Sequence, residues 1–284
     1  MRKKEEQRTK LRSALVLLVL ATIGVSVALG TTKVASTGAA PAAENKGVFI
    51  VNCPFSHRKQ VDPIVAFGQP VSGHMHDFFG NRKVDFNSTY STAFTGGTTC
   101  AHRGDFAGYW IPTLVAPNGT FVTPRRVLVY YRNTPAKYGT TTPFPADFRI
   151  VAGGVGVGPP NAGWSCEQNA SGMQATPVSC GSGLMVMHIR FPSCWNGVQA
   201  DSPNHRSHMA YGTSSSCPSS HPVKVPEIFV HARFQPGASG PGYRLSDGTV
   251  SPHADFWNTW VQASLVDMVN RCLRAGRDCG QVTG

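Results

Sequence analysis

The stretch Ile228-Phe-Val-His-Ala-Arg-Phe234 is the clearest strand signal in this sequence. Its even-numbered positions are all apolar, whereas His231 and Arg233 lie at odd-numbered positions between them. Side chains that alternate in this way point to opposite faces of a β-strand. The stretch therefore predicts a half-buried strand with one face toward a core.

Four further segments are rich in β-branched and aromatic residues and end at turn-forming residues, as strands do. They are Gly47–Asn52, Val127–Tyr131, Phe148–Ala152 and Leu184–Phe191. The chain also contains 30 Gly and 21 Pro, which favour turns over long helices. These features predict a mainly-β domain, a β-sandwich or a jelly-roll-like fold with long loops.

One segment, Asn258–Ala275, has the three- and four-residue spacing of an amphipathic helix. Its apolar side is formed by Trp260, Val261, Leu265, Met268, Val269, Cys272 and Leu273. Arg271 and Arg274 occupy its last turn and Gly276 follows, which is typical of a helix C-terminus. We expect a C-terminal helix here.

The N-terminus has the organisation of an export signal. Met1–Arg12 contains six Lys or Arg, and residues 13–30 form an uncharged, mostly apolar run. Residues 1–30 are predicted to be a signal peptide or, if uncleaved, a membrane anchor, with membrane contact through residues 13–30 alone. Residues 31–46 are predicted to be a flexible linker and residues 47–284 a single extracytoplasmic domain, secreted or held at the cell surface.

Eight cysteines follow the leader, an even number that predicts a disulfide framework in an oxidising compartment. Eight cysteines allow about 105 pairings, so the sequence does not fix the connectivity. Neighbours along the chain suggest Cys166–Cys180, Cys194–Cys217 and Cys272–Cys279, with Cys53–Cys100 as the fourth pair.

The formal net charge of the chain is +11, of which the leader supplies +4. A basic domain suits a polysaccharide or an anionic cell-wall polymer, although a solvated basic surface that maintains solubility is an equal alternative. The Lys and Arg residues of the domain are scattered, and adjacent basic residues such as Arg125 and Arg126 occur in pairs at most. Nucleic acid is therefore not an expected partner.

Residues able to carry chemistry are concentrated in four short segments of a chain that is only 14% charged. The first contains His74, His76 and Asp77; the second Asp105, Tyr109 and Trp110; the third His205, His208 and Tyr211; and the fourth His253, Asp255 and Trp257. If the segments converge, they form a polar cleft with several titratable groups. Each segment taken alone also has a non-functional interpretation. A loop His can simply be hydrogen-bonded, an Asp can lie near a helix N-terminus, and a Trp can belong to the core.

Residue type assigns roles within such a cleft. His74 and His76 are two residues apart in the sequence, so on a strand both side chains would point to the same face. This spacing suits a pair of metal ligands or a pair of acid–base groups. A divalent metal, zinc or copper, is a possible cofactor, with His205 and His208 as further ligands. The acid–base candidates are His74, His76, Asp77, Asp105, Tyr109, His205, His208, His253 and Asp255, and Trp110, Tyr211 and Trp257 are candidates for substrate binding.

Common catalytic signatures are missing from the sequence: it contains no G-x-S-x-G, H-E-x-x-H or P-loop motif. Beyond the linker the only glutamates are Glu167 and Glu227. A retaining glycosidase built on two glutamates is therefore not expected, and an Asp/His or metal-assisted site fits better.

Seven short stretches, in order along the chain, resemble a family of secreted fungal and bacterial proteins known only as domain of unknown function nineteen ninety-six. They are Cys53-Pro-Phe-Ser-His, Asp62-Pro-Ile-Val, Gly73-His-Met-His-Asp-Phe-Phe-Gly, Tyr109-Trp-Ile-Pro-Thr-Leu, Phe191-Pro-Ser-Cys-Trp-Asn-Gly, Asn204-His-Arg-Ser-His-Met-Ala-Tyr and His253-Ala-Asp-Phe. The resemblance implies one secreted domain. It also implies polysaccharide as a substrate class, since fungal members are sometimes joined to WSC carbohydrate-binding modules.

Three hypotheses follow for the function. The first is a secreted carbohydrate-active hydrolase or lyase that uses the His/Asp-rich cleft. The second is a non-catalytic metal-binding or wall-binding surface protein. The third is a structural protein whose His and Asp side chains join its loops through hydrogen bonds.

Overall fold

The computed structural model describes residues 47–133, 140–167, 169–213 and 216–284. This part of the chain is mostly β-structure, as predicted. Its strands are β1 (Val48–Lys59), β2 (His76–Gly80), β3 (Gly108–Pro112), β4 (Leu114–Val115), β5 (Phe121–Val122), β6 (Arg126–Arg132), β7 (Arg149–Gly153), β8 (Ala162–Cys166), β9 (Met185–Arg190), β10 (Cys194–Trp195), β11 (Met209–Ala210), β12 (Val223–Lys224), β13 (Glu227–Arg233), β14 (Arg244–Leu245), β15 (His253–Trp257) and β16 (Asp278–Gln281). All five predicted strands are confirmed, as β1, β6, β7, β9 and β13.

One large sheet dominates the fold. Its strand order is β7-β15-β3-β2-β1-β6-β13-β9-β8, and β16 pairs in parallel with β1 while the other pairs are antiparallel. Strand β1 is long enough to serve two partners: Val48–Pro54 pair with β6, and Phe55–Lys59 pair with β2. It thus joins a β6 half (β1, β6, β13, β9, β8) to a β2 half (β1, β2, β3, β15, β7), and the sheet curves into a nearly closed, barrel-like sandwich.

The inner faces of the two halves share one hydrophobic core. Val129 and Val230 enter it from the β6 half, and Tyr109 and Phe256 enter it from the β2 half. Because neighbours along a strand point to opposite faces, the residues between these positions lie on the outer faces. The outer face of the β2 half is the one that concerns the candidate site.

Strand β13 differs from the half-buried strand that its alternation predicts. Ile228 and Val230 do lie in the core, but Phe229 and His231 on the other face are only 2% and 4% exposed. The guanidinium groups of Arg132 and Arg190 lie 4.6 and 5.2 Å from the Phe229 ring centre and cover it. Long basic side chains thus shield an outer face from solvent.

The C-terminal helix forms, but it begins later than the sequence predicts. Helix α2 spans Gln262–Met268 and continues as a π-helical segment over Val269–Arg274. Asn258, the predicted first residue, instead donates its side-chain N–H to the carbonyl oxygens of Phe144 and Pro145. The part of the chain that the structure describes has two further helical elements, both short: α1 (Tyr90–Ala93) and a 3₁₀ turn (Ala170–Gly172).

The suggested disulfide pairing is confirmed in full. The bonds are Cys53–Cys100, Cys166–Cys180, Cys194–Cys217 and Cys272–Cys279. Four disulfides fit an extracellular protein. Within the described ranges, no helix has the length and apolar character that crossing a membrane requires. The predicted leader and linker, residues 1–46, lie outside the described residues.

Candidate metal centre

The outer face of the β2 half brings together the first and fourth segments that the sequence singled out. Strand β3 lies between β2 and β15, so that His76 pairs with Pro112 and Asp255 pairs with Trp110. His253 and Asp255 on β15 share a face because they are two residues apart. His74 reaches the same place from the loop just before β2.

Three imidazoles meet at this point. The ring centres of His74 and His76 are 4.2 Å apart, and the Nε2 atoms of His74 and His253 are 3.3 Å apart. One ring nitrogen from each of these three residues lies within 4.8 Å of the others, which is close enough to share a metal ion. His76 is fully buried, while His74 and His253 keep partial exposure.

Two carboxylates complete the cluster around His76. One ligand atom each from Asp62, His76 and Asp255 also lies within 4.8 Å of the others, and all three residues are buried. Asp62 Oδ1 accepts backbone N–H bonds from Ile64 and Val65 at 3.1 and 2.9 Å. These bonds fix the Asp62 carboxylate at the turn after β1.

The orientation of His76 follows from its backbone partner. Its Nδ1 lies 2.9 Å from the carbonyl oxygen of Val61, and since a carbonyl oxygen only accepts, Nδ1 carries the proton. Nε2 therefore presents a lone pair, and within the described residues it has no hydrogen-bond partner. Backbone carbonyls orient metal-bound histidines in this way. Burial, and next the neighbouring His74, lower the pKa of His76 to about 3, so the ring is neutral.

The Asp255 carboxyl group is the least satisfied polar group in the cluster. It is fully buried, and neither oxygen has a hydrogen-bond partner in the described part of the chain. Burial, followed by the charge of Asp62, raises the pKa of Asp255 well above its usual value, and Arg206 acts in the opposite direction. Because a buried, unpaired carboxylate is strongly unfavourable, this group needs either a proton or a cation.

These donors suit a divalent transition metal. Neutral imidazole and carboxylate bind zinc and copper, and three imidazoles with one carboxylate complete a tetrahedral zinc site. Thiolate ligands do not compete, since all eight cysteines form disulfides. The cluster of His74, His76, His253, Asp62 and Asp255 is called the metal centre below.

The metal centre has an opening at His74. This residue also lines a cavity of about 300 Å³, together with Phe121 and Arg244. Phe121 is 49% exposed, so its ring is available to a ligand in the cavity. On the far side of His253, Asp247 Oδ2 lies 3.9 Å from Nδ1.

Three other acid–base candidates lie on the inner side of the sheet. Asp77 accepts from Arg58 at 2.6 Å and from Thr113 at 3.0 Å. Asp105 is fully buried and accepts from the Tyr109 hydroxyl at 2.9 Å, and burial raises the pKa of Asp105 to about 8. Asp77 and Tyr109 face the core because they alternate with the outward-facing residues of β2 and β3. Asp105 reaches Tyr109 from the segment before β3, so none of the three joins the metal centre.

The third segment does not place its histidines in the cluster. His205 Nδ1 bonds to Asp201 at 2.9 Å. His208 is buried between the Ser202 hydroxyl and the carbonyl oxygen of Arg149, both at 2.8 Å. Both rings therefore serve local loop structure, and neither belongs to a group of possible metal ligands among the described residues.

The aromatic candidates for substrate binding fall into two groups. Trp110 and Trp257 are 0% and 1% exposed and pack with Phe78 and Val151 beneath the surface, so neither ring can stack on a sugar. Tyr211 is 40% exposed, and its hydroxyl donates to the carbonyl oxygen of Arg190 at 2.7 Å. It does not line the cavity that opens at His74.

Sequence reasoning overlooked two residues as site candidates. Asp62 sits in a stretch quoted for the family resemblance, Asp62-Pro-Ile-Val, but nothing local marked it as a ligand. Arg206 stands between the two histidines of the third segment, and its guanidinium donates to the carbonyl oxygens of Val151 and Gly153. An Asp before Pro is a common turn signal, which explains why its functional potential was missed.

Comparison with known proteins adds one result to this geometry. No curated protein and no solved structure gives a significant match. The model of one family matches residues 62–260, a range that contains all five residues of the metal centre. By this match the chain belongs to the family described as Domain of unknown function (DUF1996).

Proposed function

We propose that the domain binds one divalent transition metal ion, zinc or copper, at the metal centre. The observation that carries the proposal is the pair of unsatisfied buried groups, His76 Nε2 and the Asp255 carboxylate, within two groups of possible ligands that share His76, one with His74 and His253 and one with Asp62 and Asp255. Buried polar groups in folded proteins nearly always have partners. A bound cation would satisfy both groups at once.

A purely structural role fits the other predicted residues better than it fits this cluster. Side chains that only join loops should be fully paired, as Asp77, Asp105 and His208 are. In the described chain His76 Nε2 and both Asp255 oxygens have no partner, and His74, which lies against His76, lines an open cavity. This contrast supports a ligand at the metal centre.

The proposal extends to catalysis on polysaccharide because the metal centre is accessible. His74 belongs both to the centre and to the lining of the cavity with Phe121 and Arg244. An exposed aromatic ring beside polar groups is a surface on which sugars stack. A metal bound there would polarise a bond of the substrate or activate a water molecule. This makes a hydrolase or lyase of cell-wall or environmental polysaccharide our preferred function.

The alternative is a non-catalytic metal-binding surface protein, which the same donors support. Because His76, Asp62 and Asp255 are buried, only His74 and His253 are partly exposed among the possible ligands. A metal enclosed by all five residues would have no position for substrate. Product analysis with polysaccharides separates the two functions.

The test is the metal content of the purified protein, measured by elemental mass spectrometry after expression in an oxidising host. We expect close to one zinc or copper per chain in the wild type and a loss of that metal in a His74→Ala/His76→Ala variant. A His221→Ala variant, changed at a loop histidine that belongs to neither group of possible ligands, should retain it. Full occupancy in the double variant would overturn the proposal.

A further inference from the structure

A second cavity, of about 480 Å³, is lined by residues of β1 and of the segment between β2 and β3. His57 and Lys59 contribute to it from β1, and Arg82, Lys83, Asp85 and Asn87 contribute from the segment after β2. None of these residues belongs to the metal centre. We call this cavity the basic pocket.

The basic pocket carries an excess of positive charge. Lys59 forms an ion pair with Asp85, so these two charges offset each other. Arg82 donates its Nε–H to the carbonyl oxygen of Thr98 at 3.2 Å, and neither Arg82 nor Lys83 has a carboxylate partner among the described residues. Two exposed cations therefore face the cavity without a counter-charge, which favours an anionic ligand.

The wall of the basic pocket is fixed by packing. The His57 ring stacks on Phe78, with ring centres 4.6 Å apart and ring planes 3° from parallel. His57 Nε2 lies 3.1 Å from the carbonyl oxygen of Val84, which holds the segment after β2 against β1. Burial lowers the pKa of His57, so the ring adds no charge of its own. Arg82 and Lys83 thus lie on a segment that is held in place against β1.

The fold also removes negative charge from the surface. Asp62, Asp77, Asp105, Asp255 and Glu227 are all buried, in a chain with only 15 acidic residues. The exposed surface is consequently more basic than the net charge alone implies. This strengthens the attraction of an anionic polymer to an unpaired pair of cations.

The basic pocket lies next to the metal centre on the same sheet. Lys59 pairs with His76 in the register of β1 and β2, and His57 pairs with Phe78. Adjacent strands are about 4.8 Å apart, so a polymer of a few sugar units can reach both places. The pocket is nonetheless built from different residues and requires no metal.

We propose that the basic pocket binds the negatively charged groups of an anionic glycopolymer, carboxylates or phosphodiesters. Both groups offer oxygen acceptors to the Arg82 guanidinium and the Lys83 ammonium. Asn87 supplies an exposed amide beside them. Binding weakens with salt because the cations are exposed.

The experiment is isothermal titration of the full chain at low salt with three probes: oligogalacturonate, poly(glycerol phosphate) and neutral cello-oligosaccharide. We expect binding of at least one anionic probe and none of the neutral one, and the stronger anion identifies the group. An Arg82→Gln/Lys83→Gln variant should lose affinity about tenfold or more, a change of about 1.4 kcal/mol. A Lys83→Glu variant, changed at one exposed side chain, should show the same loss if the double variant folds poorly.

The matched control is an Arg103→Gln/Arg125→Gln variant, which removes the same charge from exposed residues outside the pocket. Its affinity should stay within about twofold of the wild type. An equal loss in this control, equal binding of the neutral probe, or no binding of either anion by the wild type overturns the proposal. Binding should persist in the His74→Ala/His76→Ala variant, so failure of the metal centre and failure of the basic pocket give different results.

Discussion

The Nε2 atoms of His74 and His253 lie 3.3 Å apart, although the two residues are 179 positions apart in the sequence. Two imidazole nitrogens at about 2.0–2.1 Å from a tetrahedral zinc ion are separated by about 3.3–3.4 Å. The strands thus hold these histidines at the spacing that a shared zinc ion requires. His76 belongs both to this group of imidazoles and to a second group with the carboxylates of Asp62 and Asp255.

Metal removal should destabilise the protein. A ligand present at about 100 times its dissociation constant stabilises the folded state by about 2.7 kcal/mol. For a domain of this size such a loss lowers Tm by about 5–10 °C. Calorimetry with and without a chelator measures the shift, and the His74→Ala/His76→Ala variant should show none. An unchanged wild-type Tm would argue that no metal is bound.

Replacing Asp255 with Asn should weaken metal binding while preserving the fold. The carboxylate is fully buried and is the most natural source of negative charge for the ion, so its loss should lower affinity about 10- to 100-fold. Competition with a chromophoric chelator measures the affinity. Asp267→Asn, at a side chain 62% exposed, serves as the control and should bind as the wild type does. Equal affinities in the two variants would remove Asp255 from the metal centre.

The strands and disulfides could be predicted because their signals are local. Ile228–Arg233 alternate within one strand, and the disulfides join cysteines that follow each other along the chain, such as Cys166 with Cys180. The start of α2 was misplaced because Trp260 continues the helical spacing, yet packs in the core before the helix begins. Periodicity alone does not distinguish an apolar residue that precedes a helix from one within it.

The candidate site was predictable only in part, because its assembly depends on the strand order. His74 and His76 could be paired from their spacing, but no local pattern shows that β15 reaches them across β3. Tyr109 and Asp105 looked equally suitable, yet the alternation of β3 turns Tyr109 inward. Asp62 enters the cluster through a turn whose position depends on the tertiary fold.

Acidification should destabilise the protein through buried histidines outside the metal centre. Burial, and next the neighbouring His188, lower the pKa of His231 to about 2, and burial lowers the pKa of His188 to about 4. Below pH about 6.5 the unfolded chain takes up protons that these folded histidines do not. The free energy of unfolding therefore falls as pH drops below 6.5, by at most about 1.4 kcal/mol per pH unit for each histidine.

A His231→Phe variant isolates one of these contributions. Its aromatic neighbours Phe229, Tyr130 and His188 surround a ring of similar shape. Urea unfolding in chelator between pH 7 and pH 5 should show a shallower loss of stability than in the wild type, by about 1–2 kcal/mol over that range. If the free energy of unfolding fell equally with pH in the wild type and the variant, His231 would have the same pKa in the folded and the unfolded state.

The disulfides should differ in their contribution to stability. Cys53–Cys100 closes a loop with a sequence separation of 47, and Cys272–Cys279 closes one of 7. The chain-entropy relation gives about 4 kcal/mol for the first and about 2.5 kcal/mol for the second. Urea unfolding of the two double Cys→Ala variants tests this order. A larger loss from Cys272→Ala/Cys279→Ala would show that local packing, not loop length, decides.

The most direct test of the central claim is anomalous diffraction at the zinc absorption edge from crystals grown with zinc. The account predicts one strong peak about 2.0–2.2 Å from ring nitrogens of His74, His76 and His253 and from a carboxylate oxygen of Asp62 or Asp255. If the only zinc peaks lay at other residues, or if no peak appeared at these residues at full zinc saturation, the assignment of the metal centre would be contradicted.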